Sequence, residues 1–191
     1  MDNDRDDLVI RACGGDSGAF GALIGVYERS ALAVAYAICG DGTSAGDAVQ
    51  EAFWRAWRRL GELREPGKFG PWLMQIVRRA ALDERRKRQA TIAEAPECAA
   101  DGPEPAEVLE KAETAAEIRR AIEGLDELTR SVVMLKFYED LSTQQIAELM
   151  ELSPGAVDMR LSRGRGELRK KLGRLLDEIA GRSQKEEARS Q

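Results

Sequence analysis

The stretch LSTQQIAELMELSPGAVDMRLSRGRGELRKKL, from Leu141 to Leu172, decides the fold. Ser142 can accept from the free amides of a first helical turn, and Ile146 and Leu149 then share one face. Leu152 and Ser153 interrupt that helix. A second opens with Ser153 as cap and Pro154 at the first helical position, where a missing amide hydrogen costs nothing and φ is already helical. Val157, Leu161, Leu168, Leu172 and Leu175 recur every 3.6 residues or so, one apolar stripe that must face a core. Two helices joined by so short a turn form a helix-turn-helix.

At about 100° per residue, the side opposite the stripe carries Gly155, Met159, Ser162, Arg163, Gly166 and Lys170. Between Pro154 and Arg174 stand seven basic residues against Asp158 and Glu167. Charge alone is equally consistent with a solvated helix face. The Ser-Pro start and the short turn favour a DNA reader, because small residues at the start of the second helix let its backbone settle into a major groove while arginines further along reach bases or phosphates.

Upstream of this motif, Ile118, Ile122, Leu125 and Leu128, then Val132, Val133, Leu135 and Phe137, predict two helices packed beneath it. From Thr91 to Glu117 the composition turns to Ala, Glu, Pro and Gly, with eight acidic residues against Lys111. The part over 91–105 reads as a flexible linker between domains over 1–90 and 106–181, with helix resuming near Ala106. The polar tail 182–191 reads as disordered.

The first domain is also helical. An acidic start, MDNDRDD, is expected to fray before a short helix around Leu8 to Ala12, ended by Gly14 and Gly15. Asp16 caps a long helix to about Cys39 with Phe20, Leu23, Ile24, Tyr27, Val34 and Ile38 at helical spacing. The helix over Ser44 to Leu60 turns Val49, Phe53, Ala56, Trp57 and Leu60 inward and leaves Asp47, Gln50, Glu51 and Arg58 outside. Three glycines and two prolines make Leu60 to Pro71 a loop. A helix to about Gln89 follows, with Trp72, Leu73, Ile76, Val77 and Ala80 as its core stripe. Its end gathers Arg78, Arg79, Arg85, Arg86, Lys87 and Arg88 against Asp83 and Glu84, more than dipole compensation at a C-terminus requires. No strand pattern or repeat interrupts this all-α reading.

The chain has 191 residues, 43% of them hydrophobic, enough for a core in each domain. The net charge of −5 conceals blocks of alternating sign. There is no histidine, and Cys13, Cys39 and Cys98 have no metal-type spacing, so neither a cofactor nor catalytic chemistry is expected. No uncharged apolar run is long enough to cross a bilayer and the start is the opposite of a signal peptide's, so the protein is expected in the cytoplasm without membrane insertion.

Two ordered blocks resemble bacterial sigma-70 family factors of the extracytoplasmic-function (ECF) type: DAVQEAFWRAWRRL with FGPWLMQIVRRAALDERRKR, and LDELTRSVVMLKFYEDLSTQQIAELMELSPGAVDMRLSRGRGELRKKL. The resemblance implies a non-catalytic subunit that directs core RNA polymerase to promoter DNA. It assigns core polymerase binding to Asp47, Gln50, Glu51 and Arg55. It gives capture of a flipped non-template base to the loop 60–71, with Phe69 and Trp72 as stacking candidates, Trp72 also fitting the core stripe. Arg78, Arg79, Arg85, Arg86 and Arg88 would hold phosphates of the melted region. Contacts with the upstream promoter element fall to the helix starting at Ser153, through Met159, Ser162 and Arg163 on the outward face that also carries Gly155 and Lys170, with Arg160 and Arg165 flanking it toward the backbone.

Two positions depart from the family pattern. Asp158 stands where relatives often carry Lys or Arg, and could accept from a cytosine amino group. Arg79 stands where many have the Asn tied to melting. The acidic linker is expected to thread the polymerase's RNA exit path, and an anti-sigma protein is expected as regulator. A stand-alone helix-turn-helix regulator, or a decoy for a sigma regulator, is the alternative. The first would need a dimer interface that the sequence does not offer, since a free monomer is expected, and neither uses the first block.

Overall fold

The computed structural model describes residues 2–94 and 106–189, which form α-helices and two short 3-10 turns without a strand. The first body consists of α1 (Asp2–Cys13), α2 (Ser17–Cys39), α3 (Gly42–Arg59) and α4 (Phe69–Glu94). The second consists of α5 (Ala106–Glu123), α6 (Glu127–Phe137), α7 (Thr143–Met150) and α8 (Pro154–Arg189). This is the all-helical, two-domain class expected from the sequence. Of the expected linker, residues 95–105 and with them Cys98 lie outside the described residues, while α4 runs past Ala90 to end at Glu94.

Local chemistry sets the helix ends. Asp16 accepts from the Ala19 amide at 2.9 Å, and its pKa is lowered below 3.8 by that bond and by Arg11. At the other end of α2, Gly40 takes φ 81°, a left-handed position natural to glycine, and its amide closes on Tyr36 O at 2.9 Å. Asp41 caps α3 through the Ser44 amide at 2.9 Å. α1 starts at Asp2, not near Leu8. The acidic residues expected to fray sit in its first two turns, where the helix dipole favours negative charge.

α2 is the central helix of the first body. By length and composition it could cross a membrane, yet Phe20, Leu23, Val34, Ala35 and Ile38 are buried against α3 and α4. The loop 60–71 is two 3-10 turns, Leu60–Glu62 and Pro66–Lys68, after which α4 begins at Phe69.

In the second body Leu125, Val132, Val133, Leu135, Ile146, Val157 and Leu161 make the core. Gly164 lets α8 cross α6 closely, for a Cβ there would lie 2.9 Å from Val133 Cγ2 and 3.1 Å from Thr129 Cγ2. Two expectations fail here. Phe137 does not pack beneath the motif but is 64% exposed at the last residue of α6, where the chain turns away. α8 does not stop near Ala180: no proline and no glycine after Gly181 breaks the run of helix-forming Gln, Lys, Glu and Ala, and the helix reaches Arg189.

Candidate nucleic-acid interface

The helix-turn-helix is pinned by its caps. Ser142 and Gln145 form a reciprocal capping box at the start of α7, with bonds of 3.2 and 2.9 Å. Glu151 takes φ 53° in the turn, and Ser153 Oγ accepts from the Ala156 amide at 3.2 Å. Val157 and Leu161 are buried, which leaves Gly155, Met159, Ser162, Arg163, Gly166 and Lys170 on the exposed face of α8, with Arg165 beside them. Met159 is the most exposed large apolar group on this face, at 67%.

The charged side chains of α8 divide by partner. Arg163 Nε bonds Glu167 at 3.0 Å while the side chain stays open to solvent. Arg165 Nε donates to Leu161 O at 3.3 Å. Arg160, expected to grip the DNA backbone, is engaged within the domain: its Nη1 lies 3.3 Å from Asp126 Oδ1 and 3.4 Å from Thr129 Oγ1. It sits at a half-buried position of the period and fastens α8 to the N-terminus of α6. Asp158 accepts from Thr143 Oγ1 at 3.1 Å, so one of its oxygens joins the two helices of the motif instead of facing a groove alone.

On α4 the basic residues again divide. Arg79 and Arg86 are exposed, Arg86 reaching Asp83 only at 3.9 Å. Arg85 is half-buried, Arg88 is tied to the α3 cap Asp41, and Arg78 bonds Glu127 at 2.7 Å. Phe69 is a correction to the expected stacking role. It is 1% exposed, with ring centroids 5.4 Å from Tyr27 and 5.9 Å from Trp72, because it opens α4 on its inward side and has no free face for a base. Trp72, expected mainly as core, is half-buried and lines a cleft with Lys68, Gln75 and Glu151.

On α3, Asp47 and Gln50 are exposed and Glu51 half-buried. Arg55 is engaged within the domain, at 2.7 Å from Glu51 and 3.1 Å from Asp83 of α4, and these bonds raise its pKa. Beside Gln50 opens an apolar groove of about 550 Å³ between α2 and α3, lined by Phe20, Ile24, Phe53, Trp54 and Trp57. Trp54, under Arg58 at 4.5 Å, is 54% exposed. Its signal in the sequence was an indole at a position the helical period leaves outside, which a core-directed reading passes over.

The matches to known proteins follow the same two bodies. Residues 23–91 match the family model for sigma-70 region 2, and residues 115–168 that for sigma-70 region 4. The ECF RNA polymerase sigma factor SigW of Bacillus subtilis is 30% identical over 170 residues, covering 83% of this chain and 91% of SigW. A probable RNA polymerase sigma factor of Xanthomonas campestris, RfaY, is 36% identical over 176 residues, 88% of this chain but only 44% of that protein. CnrH, solved in complex with the cytosolic domain of CnrY, superposes with a TM-score of 0.62 at 26% identity, over 91% of this chain and 97% of CnrH. The chain belongs to the sigma-70 family of RNA polymerase sigma factors, in its ECF branch. Its class is therefore that of transcription initiation factors.

Proposed function

We propose that this chain binds core RNA polymerase through α3 and directs it to promoters, with no catalytic step of its own, in the cytoplasm. Asp47, Gln50 and Glu51 supply the polar contacts of docking, and the adjoining groove with Trp54 supplies apolar area. The exposed face of α8 enters the major groove of the upstream element, Met159 and Ser162 against base edges and Arg163, Arg165 and Lys170 toward bases or phosphates. The loop 60–71 and α4 meet the melted strand, with Trp72 as the stacking group and Arg78, Arg79, Arg85 and Arg86 as phosphate contacts. A base stacked on an aromatic ring contributes about 1–3 kcal/mol, which offsets part of the cost of melting.

The observation that carries this reading is that each of the two matched regions leaves one basic helix face unburied, α8 in the second and the latter half of α4 in the first. A regulatory protein partner is part of the proposal: CnrH was solved with the cytosolic domain of CnrY. The test is run-off transcription with purified core polymerase and fragments of the source genome. Discrete transcripts that require this chain and vanish when Asp47, Gln50 and Glu51 become Ala support it. Binding to duplex DNA without any protein-dependent transcript would replace it with a stand-alone regulator.

A further inference from the structure

Asp158 is an exposed acid on the side of α8 where Gly155, Met159, Ser162, Arg163 and Gly166 are neutral or basic. It lies about 40° around the helix from Ser162 and one turn, about 6 Å, before it, so the two share the face that leaves Val157 and Leu161 inward. Its Oδ1 accepts from Thr143 Oγ1 at 3.1 Å. Thr143 is the first residue of α7 and half-buried, so this donor is held in place, and the start of a helix favours an adjacent negative charge. The neighbouring cations are engaged elsewhere: Arg160 on Asp126, Arg163 on Glu167, and Arg165 Nε on the Leu161 carbonyl. Among the described residues none is ion-paired with Asp158.

A carboxylate has no proton to give, so in a groove flanked by phosphates it gains only where a base edge offers a donor. The major groove offers two, the cytosine N4 and adenine N6 amino groups. The adenine group lies between two acceptors, N7 of its own ring and O4 of the paired thymine, and both repel a carboxylate. The cytosine group has an acceptor, guanine O6, on one side only. With Oδ1 held by Thr143, Oδ2 is the oxygen left to accept. Any other base edge leaves a desolvated charge without a partner, which costs more than a lost neutral hydrogen bond. Asp158 therefore selects mainly by rejection.

We propose that Asp158 is a specificity-determining residue that fixes a cytosine in the upstream element, and that Thr143 is the positioning residue that orients its carboxylate. The inference rests on the proposed insertion of the α8 face into DNA. It makes the residue at this position a code. An Asn amide there accepts from adenine N6 and donates to N7, and an Arg donates to guanine O6 and N7.

The full-length chain, alone and with core polymerase, is used to select from a pool of random duplexes. Wild type should return an element with one position fixed as cytosine, favoured over a single change there by about tenfold. Asp158→Asn should return the same element with adenine at that position, and Asp158→Arg with guanine. Asp158→Ala should lose the preference there and keep the others. Thr143→Val, of the same shape but without the donor, should keep cytosine and narrow the preference at unchanged helical circular dichroism. Because Asp158→Asn retains an acceptor for Thr143, it keeps the two helices joined even where Asp158→Ala loosens them. An element identical in all three Asp158 variants, or one that changes at every position together, would overturn the proposal and leave the DNA reading of α8 standing. No enriched duplex from wild type, with or without core, would remove both. The expected cytosine, adenine and guanine series without core-dependent transcripts would support the assignment while removing the sigma reading.

Discussion

Arg55 of α3 and Asp83 of α4 meet at 3.1 Å, and the same guanidinium holds Glu51 one turn back at 2.7 Å. A residue that resembles part of a docking surface thus also clamps two helices of its own domain. Arg55→Ala should lower the stability of the first body by about 1 kcal/mol, the scale of partly exposed ion pairs, read by urea unfolding. Gln50→Ala should weaken polymerase binding and leave the unfolding midpoint unchanged.

The crossing at Gly164 gives the second body its sharpest packing constraint. Gly164→Ala would press a methyl against Val133 and Thr129, both buried, and neither can withdraw without moving α6. A loss of about 1–3 kcal/mol is expected, the cost of overpacking, with two-state thermal unfolding as the check. The exposed Gly166 two residues on should accept alanine with no loss.

Met159 and Val157 lie on opposite sides of one helical turn. Met159→Ala should leave stability unchanged and alter the preferred upstream element, with an affected base pair shifting binding by about 1–3 kcal/mol in a selection from random duplexes. Val157→Ala should do the reverse, costing stability at unchanged preference, because it removes a fully buried side chain.

Asp126 caps α6 and faces Arg160. Burial pushes its carboxyl up, but bonds from the Thr129 hydroxyl and amide, with the nearby charges of Arg160 and Arg163, outweigh this and hold it below 3.8. A lowered folded pKa adds stability that is complete above the unfolded value and is lost as the pH falls from there through the lower, folded one. Asp126→Asn, which still caps, should therefore flatten the acid limb of the stability curve below about pH 4, by less than about 1 kcal/mol given solvent screening.

Cys39 is buried beside the Ala81 carbonyl, and burial first, then Asp41 and Glu84, push its thiol from 9.0 up to about 11. At pH 8 the thiolate fraction is about a hundredth of that of an ordinary thiol, so alkylation of the folded chain at Cys39 should be slower by about that factor than in urea. Labelling followed by peptide mass mapping checks it.

Most of the architecture was legible because helix-starting and helix-ending residues are unusually explicit: Asp16, Gly40, Ser142 and Pro154 each do what their chemistry predicts. The outward face of α8 was legible for the same reason, since periodicity alone separates Met159 and Ser162 from Val157 and Leu161. What periodicity does not carry is the partner of a long side chain. Arg160 and Arg78 look alike in sequence as spare cations, and only the fold shows one bound to Asp126 and the other to Glu127. Phe69 was misread because loop composition hid the start of α4, and a helix that begins before Pro71 turns that ring inward.

The bond from Arg160 to the α6 cap separates the residues that hold α8 from those proposed to read DNA on the same helix. Buried valine and leucine, Arg160 and Gly164 fix where α8 sits; Met159 and Ser162 stand clear of all of them. Exchange of Met159 and Ser162, the positions proposed to read the promoter, should therefore leave the mount untouched, so that a new promoter preference could arise at almost no cost in folding.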